Sequence, residues 1–378
     1  MNPVIPPDTD TKLKILSQDS RYDLACACGT SDRDRRHRSQ DNRWIYPVVL
    51  PDGTSTYLFK TLISNICTND CGYCPLRAGQ DPRRCALEPA EVVSTFMAYK
   101  RAGLVSGIFM SSGVLGSPDR TMERINTIAR ILRKKEQFRG YMHLKVIPGA
   151  SDAAIEEALS LATTVSINIE IPGEKHFSKI CKSKDYSTDI IRPLKLISKL
   201  TSRGERFAGI KSTTQFVVGA SDETDSEIIK YMGGLYNRLH LNRIYFSAYQ
   251  RGLGASHLPG EQSVISNDDA LTREHRLYQS DWLVRKYKFS TDEIPIGQDG
   301  NLRLDKDPKE VWAEQHPEMF PVNINKANKL EIARVPGIGL QTADRILKMR
   351  KQGVKVRAVE DLGRMGKRLG KAAQFVAF

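Results

Sequence analysis

Three cysteines lie within eight residues, in the segment Cys67-Thr68-Asn69-Asp70-Cys71-Gly72-Tyr73-Cys74. Thiolates at this spacing can converge from a tight loop onto one iron–sulfur cluster, and three of them leave one of four irons without a protein ligand. That open iron is where chemistry would take place. The chain has seven cysteines, an odd number that suits reduced thiols and metal sites better than a disulfide framework.

Two other interpretations of the three thiols stay open. Positions 67, 71 and 74 follow i, i+4, i+7 spacing, so the thiols could be buried on one apolar helix face. The turn residues Asn69-Asp70 and Gly72, with Pro75 directly after the motif, argue against a helix. Zinc normally takes four ligands in paired C-x2-C clusters, and no second pair follows downstream. The pattern therefore favours an iron–sulfur cluster held by a loop.

The C-x3-C-x-aromatic-C pattern, with Tyr73 as the aromatic, resembles the signature of the radical S-adenosylmethionine (SAM) superfamily. The resemblance implies a [4Fe-4S] cluster held by Cys67, Cys71 and Cys74, with SAM chelating the fourth iron through its amino and carboxylate groups. In that family an electron from the cluster splits the sulfonium and yields a 5′-deoxyadenosyl radical, which abstracts a hydrogen atom from substrate. The protein positions and tunes these cofactors and excludes water.

Residues from about 60 to 290 alternate short apolar runs with helical patterns, which predicts an α/β domain with a parallel sheet and helices outside. Periodicity leaves a doubly wound sheet and an open barrel as alternatives. The resemblance implies a partial (β/α)6 TIM-like barrel, with the cysteine loop directly after its first strand. The predicted strands are 61–66, 107–111, 141–146, 164–169, 211–218 and 243–248, and the predicted helices are 89–102, 120–135, 151–162, 187–200, 224–239 and 272–287.

Ligands of parallel α/β sheets bind at the carboxyl ends of the strands, so polar residues there are the candidate SAM ligands. Alternation puts Ser166, Asn168 and Glu170 on one face of the fourth strand, where a ribose diol would satisfy them. By resemblance, the remaining candidates are Ser111, Ser112 and Gly113 for the amino group (where the family often has Gly-Gly-Glu), Lys145 and Arg192 for the carboxylate, and Tyr73, Gln215 and Gly219 for the adenine.

Two residues near the expected mouth are candidate catalytic groups. Tyr249 enters a glycine-containing loop after the sixth strand, on the side expected to face substrate. Cys181 is a candidate hydrogen-atom donor to a product radical, although a lone cysteine usually serves only packing. Cys26 and Cys28 form a C-x-C pair, which is a weak ligand signal with buried loop residues as the alternative.

Positive charge is concentrated at the C-terminus. The net charge is +13, and residues 321–378 carry 13 Lys and Arg against 4 Asp and Glu, a net of +9. Such an asymmetry predicts a polyanionic partner, with a merely solubilising surface as the alternative.

Residues 325–349 resemble a helix-hairpin-helix module built around Val335-Pro336-Gly337-Ile338-Gly339. The two glycines let the backbone approach a ligand closely, and the N-terminus of the second helix offers N–H groups to a phosphate. The residues predicted to contact nucleic acid are Pro336, Gly337, Ile338, Gly339, Lys348, Arg350 and Lys351. Contacts of this kind read the phosphate backbone. Some modules of this type mediate only protein contacts, and a second, degenerate copy is predicted at 361–378.

The predicted domains are an N-terminal extension (1–59), the core barrel (60–290), a connector (291–320) and the helix-hairpin-helix domain (321–378). The extension is predicted to contain a hairpin with strands at 44–50 and 55–59 and a turn at Pro51-Asp52-Gly53. The N-terminus has no apolar signal region, and no run of eighteen apolar residues occurs, so we expect a cytoplasmic protein with no membrane contact.

The order of parts resembles a family of radical SAM proteins described as DNA modification or repair proteins and linked in genomes to a uracil-DNA glycosylase-like protein. The resemblance implies an enzyme that acts on a DNA base or sugar, with an electron donor such as flavodoxin or ferredoxin. One alternative is RNA or a protein as the substrate. The other is a non-catalytic iron–sulfur nucleic-acid binder that senses redox state.

Overall fold

The computed structural model describes residues 7–23, 45–49, 55–363 and 366–378. Cys26, Cys28, the predicted turn at 51–53 and part of the predicted second hairpin copy (364–365) lie outside these ranges. The chain divides into two compact units, one comprising Met1–Glu223 and Gly234–Glu274, the other Thr224–Gly233 and His275–Phe378. The sheet and the cysteine loop belong to the first unit.

The first unit contains a seven-stranded sheet whose strands follow one another in chain order. They are β1 (Ile45–Val49), β2 (Ser55–Leu62), β3 (Gly107–Ser111), β4 (Tyr141–Lys145), β5 (Thr164–Ser166), β6 (Lys211–Val218) and β7 (Arg243–Ala248). β1 pairs antiparallel with β2, and all other pairs are parallel. A doubly wound sheet requires the strand order to reverse, which does not happen here. The curled half-barrel with outer helices confirms the predicted fold class.

Most helices of this part of the chain connect the parallel strands, whereas the first precedes the sheet and the last two follow β7. Through residue 287 they are α1 (Thr9–Asp19), α2 (Pro89–Arg101), α3 (Pro118–Lys134), α4 (Asp152–Leu161), α5 (Glu174–Ile180), α6 (Arg192–Thr201), α7 (Asp225–Asn237), α8 (Pro259–Gln262) and α9 (Asn267–Tyr287). Local sequence sets their starts: the hydroxyls of Ser117 and Ser151 accept N–H bonds from the first turns of α3 and α4, and Pro118 occupies the first position of α3.

Several element boundaries differ from the prediction, and the fourth barrel strand, β5, ends at Ser166 and not at residue 169. The first barrel strand is Ser55–Leu62, not 61–66, because one strand pairs with β1 on one side and with β3 on the other. The predicted helix at 187–200 is a π-helix at Tyr186–Ile191 followed by α6. Pro193 has no N–H to donate, so the regular ladder is interrupted at that point.

The two faces of the curled sheet differ in polarity. Phe59 of β2 packs on Phe96 of α2, with ring centroids 6.1 Å apart, and belongs to the apolar layer under the helices. The other face carries buried polar groups, including Lys60, His143 and Ser166. Buried polar groups require partners, so this face is where a polar ligand or an internal network must lie.

The second unit includes α10 (Pro308–Gln315), β8 (Val322–Asn323), α11 (Lys329–Arg334), α12 (Leu340–Lys351), α13 (Lys367–Ala372) and β9 (Val376–Ala377). α11 and α12 form the predicted helix–turn–helix, and Gly337 in the turn has φ +82°, a conformation that favours glycine. Its core contains Ile332, Ile338, Ile346 and Leu362. Among the residues described, none of the helices combines the length and apolar composition needed to cross a bilayer.

Candidate active site

The cysteine loop leaves the end of β2 and is not helical, which excludes three thiols on one helix face and confirms the predicted loop. Backbone bonds tie it to its neighbours: Thr68 N–H donates to Val114 O (3.1 Å), Gly72 N–H to Ile180 O (2.6 Å), and Ala255 N–H to Gly72 O (2.9 Å). A side chain on Gly72 would approach Leu258 to about 3.0 Å. The loop is therefore held between three other segments of the unit.

Asp70 fixes the middle of the loop. Its Oδ1 accepts hydrogen bonds from Lys182 N–H (3.1 Å), Ser183 N–H (3.0 Å) and the Ser183 hydroxyl (2.7 Å). Burial opposes ionisation, but these bonds to Ser183 and its neighbours lower the pKa of Asp70 to about 2. The carboxylate is thus charged throughout the physiological range.

Arg84, which stands outside the cysteine motif, organises the other end of the loop. Its guanidinium donates to the carbonyl oxygens of Asn65, Leu76 (2.8 Å), Arg77 (2.9 Å) and Gln80 (3.0 Å). A planar fork with five N–H donors is suited to gathering several carbonyl groups. The spacing of the cysteines gives no sign of this role, so the sequence prediction missed it.

The three predicted cluster ligands, Cys67, Cys71 and Cys74, line one cavity at the carboxyl ends of the strands. Burial raises the pKa of Cys74 to about 12. The Cys181 thiol lies 3.7 Å from the Cys71 sulfur, and its hydrogen bond lowers the pKa of Cys71 to about 6. No three His, Cys, Asp or Glu side chains among the described residues converge on a single metal ion. Three thiols along one cavity wall fit a cluster in which each thiolate binds its own iron.

The loop after β3 places Ser111, Ser112 and Gly113 in the same cavity. Ser111 is buried, and its hydroxyl has no well-aligned hydrogen-bond partner among the residues described. A Cβ on Gly113 would lie 2.5 Å from the Ile66 carbonyl oxygen, so glycine alone lets this loop meet the cysteine loop. A buried hydroxyl in the same cavity as the thiols fits the predicted recognition of a SAM amino group.

Asn168, Glu170, Gln215 and Tyr73 also line the cavity. Glu170 is buried and has φ +65°, an uncommon conformation for a non-glycine residue. Its carboxylate accepts a hydrogen bond from the Asn168 amide at 3.3 Å. Burial and the Glu170 charge raise the pKa of Tyr73 well above its usual value, so the phenol stays protonated.

Lys184 is a cavity residue that the prediction missed. Burial opposes its charge, but the neighbouring Cys71 thiolate and Glu170 carboxylate raise its pKa above the ordinary lysine value. The cavity therefore holds one cation between the thiols and the carboxylate. No periodic or motif signal marks this position in the loop after Cys181.

Lys145 lines the cavity, but it is paired with the Asp23 carboxylate. Lys60 donates to the Asp23 carbonyl oxygen at 2.9 Å. Burial raises the pKa of Asp23, but Lys145 and Lys60 outweigh burial and hold it below its usual value. Burial lowers the pKa of Lys60 to about 8, and burial with both lysine charges lowers the pKa of His143 to about 3. His143 is therefore neutral at physiological pH.

Four of the predicted residues do not line this cavity. Ser166 is bonded to His143 Nε2 at 2.8 Å, and Arg192 is paired with Asp152. Gly219 donates its N–H to Glu223 Oε1 at 2.5 Å, and Cys181 lies behind Cys71. The roles assigned to these four residues stay predictions, and the sequence did not predict the contacts that the structure gives them.

Tyr249 lines the cavity and donates its hydroxyl to Glu261. The same carboxylate accepts the N–H groups of Gly252 (2.9 Å) and Gly254 (2.9 Å). Burial and the Glu261 charge raise the pKa of Tyr249 above its usual value. Tyr249 and Glu261 together fix the glycine-containing loop beside the cavity.

In the second unit, a buried lysine donates hydrogen bonds to the end of α11 and to the turn between α11 and α12. Lys309 is buried and donates to the carbonyl oxygens of Ala333 (2.9 Å) and Ile338 (2.7 Å), and burial lowers its pKa to about 8. Arg350 donates to the Ala327 carbonyl oxygen and, at 3.2 Å, to that of Lys326. The guanidinium of Arg350 is therefore engaged within the module, whereas Lys348 and Lys351 are exposed.

Comparison with known proteins gives two family matches. Residues 61–233 match the Radical SAM superfamily, and residues 320–374 match the helix-hairpin-helix motif. The search of curated protein sequences gave no match.

Three solved structures resemble this chain. Methylornithine synthase has 14% identity and a TM-score of 0.44, covering 71% of this chain and 72% of its own. The [FeFe]-hydrogenase maturase HydG has 14% identity and a TM-score of 0.43, covering 57% and 48%. Streptococcus suis SuiB has 13% identity and a TM-score of 0.43, covering 58% and 45%. The chain thus spans about half the length of HydG and of SuiB.

The family matches agree with the site built from the residues. Residues 61–233 include the cysteine loop and the strands β3 to β6 that line the cavity with it. The chain therefore carries a radical SAM superfamily domain, whose cofactors are a [4Fe-4S] cluster and S-adenosylmethionine, together with a helix-hairpin-helix motif.

Proposed function

We propose that this protein is a radical SAM enzyme that modifies or repairs DNA at a base or a sugar. The observation that carries the DNA assignment is the helix-hairpin-helix motif at 320–374, joined in one chain to the radical SAM domain. A net charge of +9 over residues 321–378 supports a polyanionic substrate. An external donor such as flavodoxin or ferredoxin supplies electrons, and a uracil-DNA glycosylase-like protein is the proposed partner.

Cys67, Cys71 and Cys74 are the proposed cluster ligands, since all three line one cavity. When bound, the cluster and SAM supply an electron and a hydrogen-abstracting group. The chain orients them: Asp70 and Arg84 hold the thiol-bearing loop at its middle and at its end. A loop fixed in advance keeps the thiols in one arrangement.

The cavity offers polar groups for each part of SAM. We assign the amino group to the loop Ser111–Gly113, where the Ser111 hydroxyl lacks a well-aligned partner among the described residues. We assign the ribose to Asn168 and Glu170. Lys145 is the proposed ligand of the carboxylate, and it would have to exchange its Asp23 contact for that group.

The helix-hairpin-helix module is proposed to bind DNA phosphates through the N-terminus of α12 and through exposed lysines. The first N–H groups of a helix have no intrahelical acceptor. Leu340 N–H is directed to the Tyr287 hydroxyl, which leaves the N–H groups of Gln341 and Thr342 to a phosphate. Lys348 and Lys351 are exposed on the same helix.

The test is release of 5′-deoxyadenosine by the anaerobically reconstituted full chain with SAM and a reductant, with and without duplex DNA, single-stranded DNA and RNA. We expect release that DNA stimulates, and binding of DNA that weakens as salt rises. Cys71→Ala is the control without activity. Stimulation by RNA alone, or release unaffected by any nucleic acid, would contradict the DNA assignment, and no release under any condition would contradict the enzyme.

A further inference from the structure

The second unit contains a cavity of about 340 Å³ that has no part in the radical SAM site. Its lining includes Trp312, Met319, Phe320, Lys326 and Arg334. This volume lies in the range of small-molecule pockets and suits one planar ring system. The residues come from α10, α11 and the segment between them, inside the region that matches the helix-hairpin-helix motif or directly before it.

The aromatic wall of this cavity is fixed before any ligand binds. Trp312 is 2% exposed and stacks on His316, with centroids 4.4 Å apart. Its ring meets Phe320 edge-on at 6.2 Å, and the Arg334 guanidinium lies 4.7 Å from the ring centroid. A ring held on several sides loses little conformational freedom when a ligand packs against the cavity.

Trp312 also carries an unmet requirement. Its Nε1 is buried and has no hydrogen-bond acceptor among the described residues. A buried indole N–H normally finds a partner. Because this N–H has almost no accessible surface, a carbonyl oxygen or an aromatic ring nitrogen of a ligand would supply the missing acceptor only after a neighbouring side chain shifts.

The mouth of the cavity adds groups that favour a flat aromatic ligand attached to an anionic chain. Met319 is a large apolar side chain that is 45% exposed. Lys326 and the opposite charge of Glu331 are both exposed at the cavity, and Lys326 belongs to the segment of net charge +9. Aromatic, thioether and guanidinium surfaces pack on the faces of bases, and lysine attracts the adjoining phosphates.

We propose that this cavity binds one unstacked nucleobase of a DNA strand held by the same module. The proposal rests on the proposed DNA substrate and adds a base-binding subsite to the phosphate contacts of the hairpin. The phosphate contacts supply affinity that depends on salt and not on base identity. The cavity makes binding depend on the presence of a base.

Two single-stranded DNA oligonucleotides of equal length test the proposal, one with normal bases and one with abasic residues throughout, so that both carry the same phosphates. Their dissociation constants for the full chain are measured by fluorescence anisotropy at one salt concentration. We expect the oligonucleotide with bases to bind about tenfold more tightly, as stacking of a single base allows. Met319→Ala and Trp312→Phe should remove most of this difference and leave binding of the abasic oligonucleotide unchanged.

Trp282→Phe is the matched control, because Trp282 is 45% exposed in the same unit and does not line the cavity. It should keep the preference for bases. Met319→Ala is included because Trp312 is buried and its replacement could impair folding, whereas the exposed Met319 side chain can be shortened without opening the core.

The outcomes separate this proposal from the proposed function. Failure of both oligonucleotides and of duplex DNA to bind at low salt would overturn both. Equal binding of the two oligonucleotides, or a base preference that survives Trp312→Phe and Met319→Ala, would overturn the subsite alone. If the two oligonucleotides bind equally and the cavity binds N-acetyltyrosinamide, the cavity would instead be assigned to an aromatic side chain of a protein partner.

Discussion

The carboxylate of Asp23 pairs with Lys145 in the barrel interior and is a nearby counter-charge for Lys60, so its removal is a direct test of how this interior is stabilised. The side chains of Asp23 and Lys145 are 16% and 17% exposed, and Lys60 is buried beside them. Asp23→Asn keeps the shape of the side chain but leaves both ammonium groups without their counter-charge. Breaking a buried pair in this way costs about 3–5 kcal/mol. Partial exposure places the expected loss of unfolding free energy at pH 7 near the lower end of that range.

A double-mutant cycle isolates the charge pair. Lys145→Met in the Asp23→Asn background removes one of the two cations left without a counter-charge, so we expect the double variant to regain about 2 kcal/mol relative to Asp23→Asn alone. Urea unfolding of the cluster-free full chain under reducing conditions supplies the free energies, provided that the slopes of the variants agree. The matched control is Asp305→Asn, because the pair of Asp305 with Arg303 is largely exposed (60% and 46%) and should cost under about 1 kcal/mol.

Two results would contradict this expectation. One is that Asp23→Asn costs no more than Asp305→Asn, and the other is that the second change, Lys145→Met, adds further destabilisation in place of relieving it. Either result would mean that the two lysines reach solvent or another anion, and that Asp23 does not organise the interior.

Three further predictions concern Lys309, Gly113 and the two exposed lysines of α12. Lys309 has a pKa of about 8 in the folded chain and about 10.5 in the unfolded chain, so above pH 8 the unfolded chain binds more protons. The free energy of unfolding of the wild type should therefore rise relative to that of Lys309→Met, by up to about 3 kcal/mol between pH 8 and 10.5, as measured in urea titrations. Gly113→Ala should lower the free energy of unfolding by about 1–3 kcal/mol and reduce iron loading, because its Cβ would meet the Ile66 carbonyl oxygen. The control Gly234→Ala should not destabilise its helix, because its Cβ would meet nothing within 4 Å. The double variant Lys348→Ala/Lys351→Ala should flatten the plot of log binding constant against log salt concentration for DNA, by about one unit of slope for each phosphate that it no longer neutralises. The control Lys14→Ala should leave this slope unchanged.

Much of the barrel could be predicted because buried strands and amphipathic helices leave strong local patterns. The strands at 107–111, 211–218 and 243–248 were predicted to the residue. The first barrel strand was misplaced because the Pro-Asp-Gly turn signal at 51–53 assigned residues 55–59 to a separate hairpin. A strand that pairs on both sides carries no local sign of its second partner.

The site was predictable where chemistry depends on spacing along the chain. The cysteine loop and the residues at strand ends, such as Ser111 and Glu170, come together in one cavity. Asp23 and Lys184 were missed, because their contacts with Lys145 and with Cys71 cross more than one hundred residues of sequence. Arg192 has the residue type of a carboxylate ligand, and only its contact with Asp152 reveals another role.

The most direct test of the three-cysteine cluster site is the iron and sulfide content of the anaerobically purified chain and of single cysteine variants. We expect about four iron and four sulfide per wild-type chain, the number in a [4Fe-4S] cluster, and loss of the cluster in Cys67→Ala, Cys71→Ala and Cys74→Ala. Cys85→Ala is the matched control, since Cys85 is a buried free thiol outside the cavity, and it should keep its cluster. A wild-type chain without iron after anaerobic reconstitution, or full loading in any of the three loop variants, would contradict the three-cysteine cluster site.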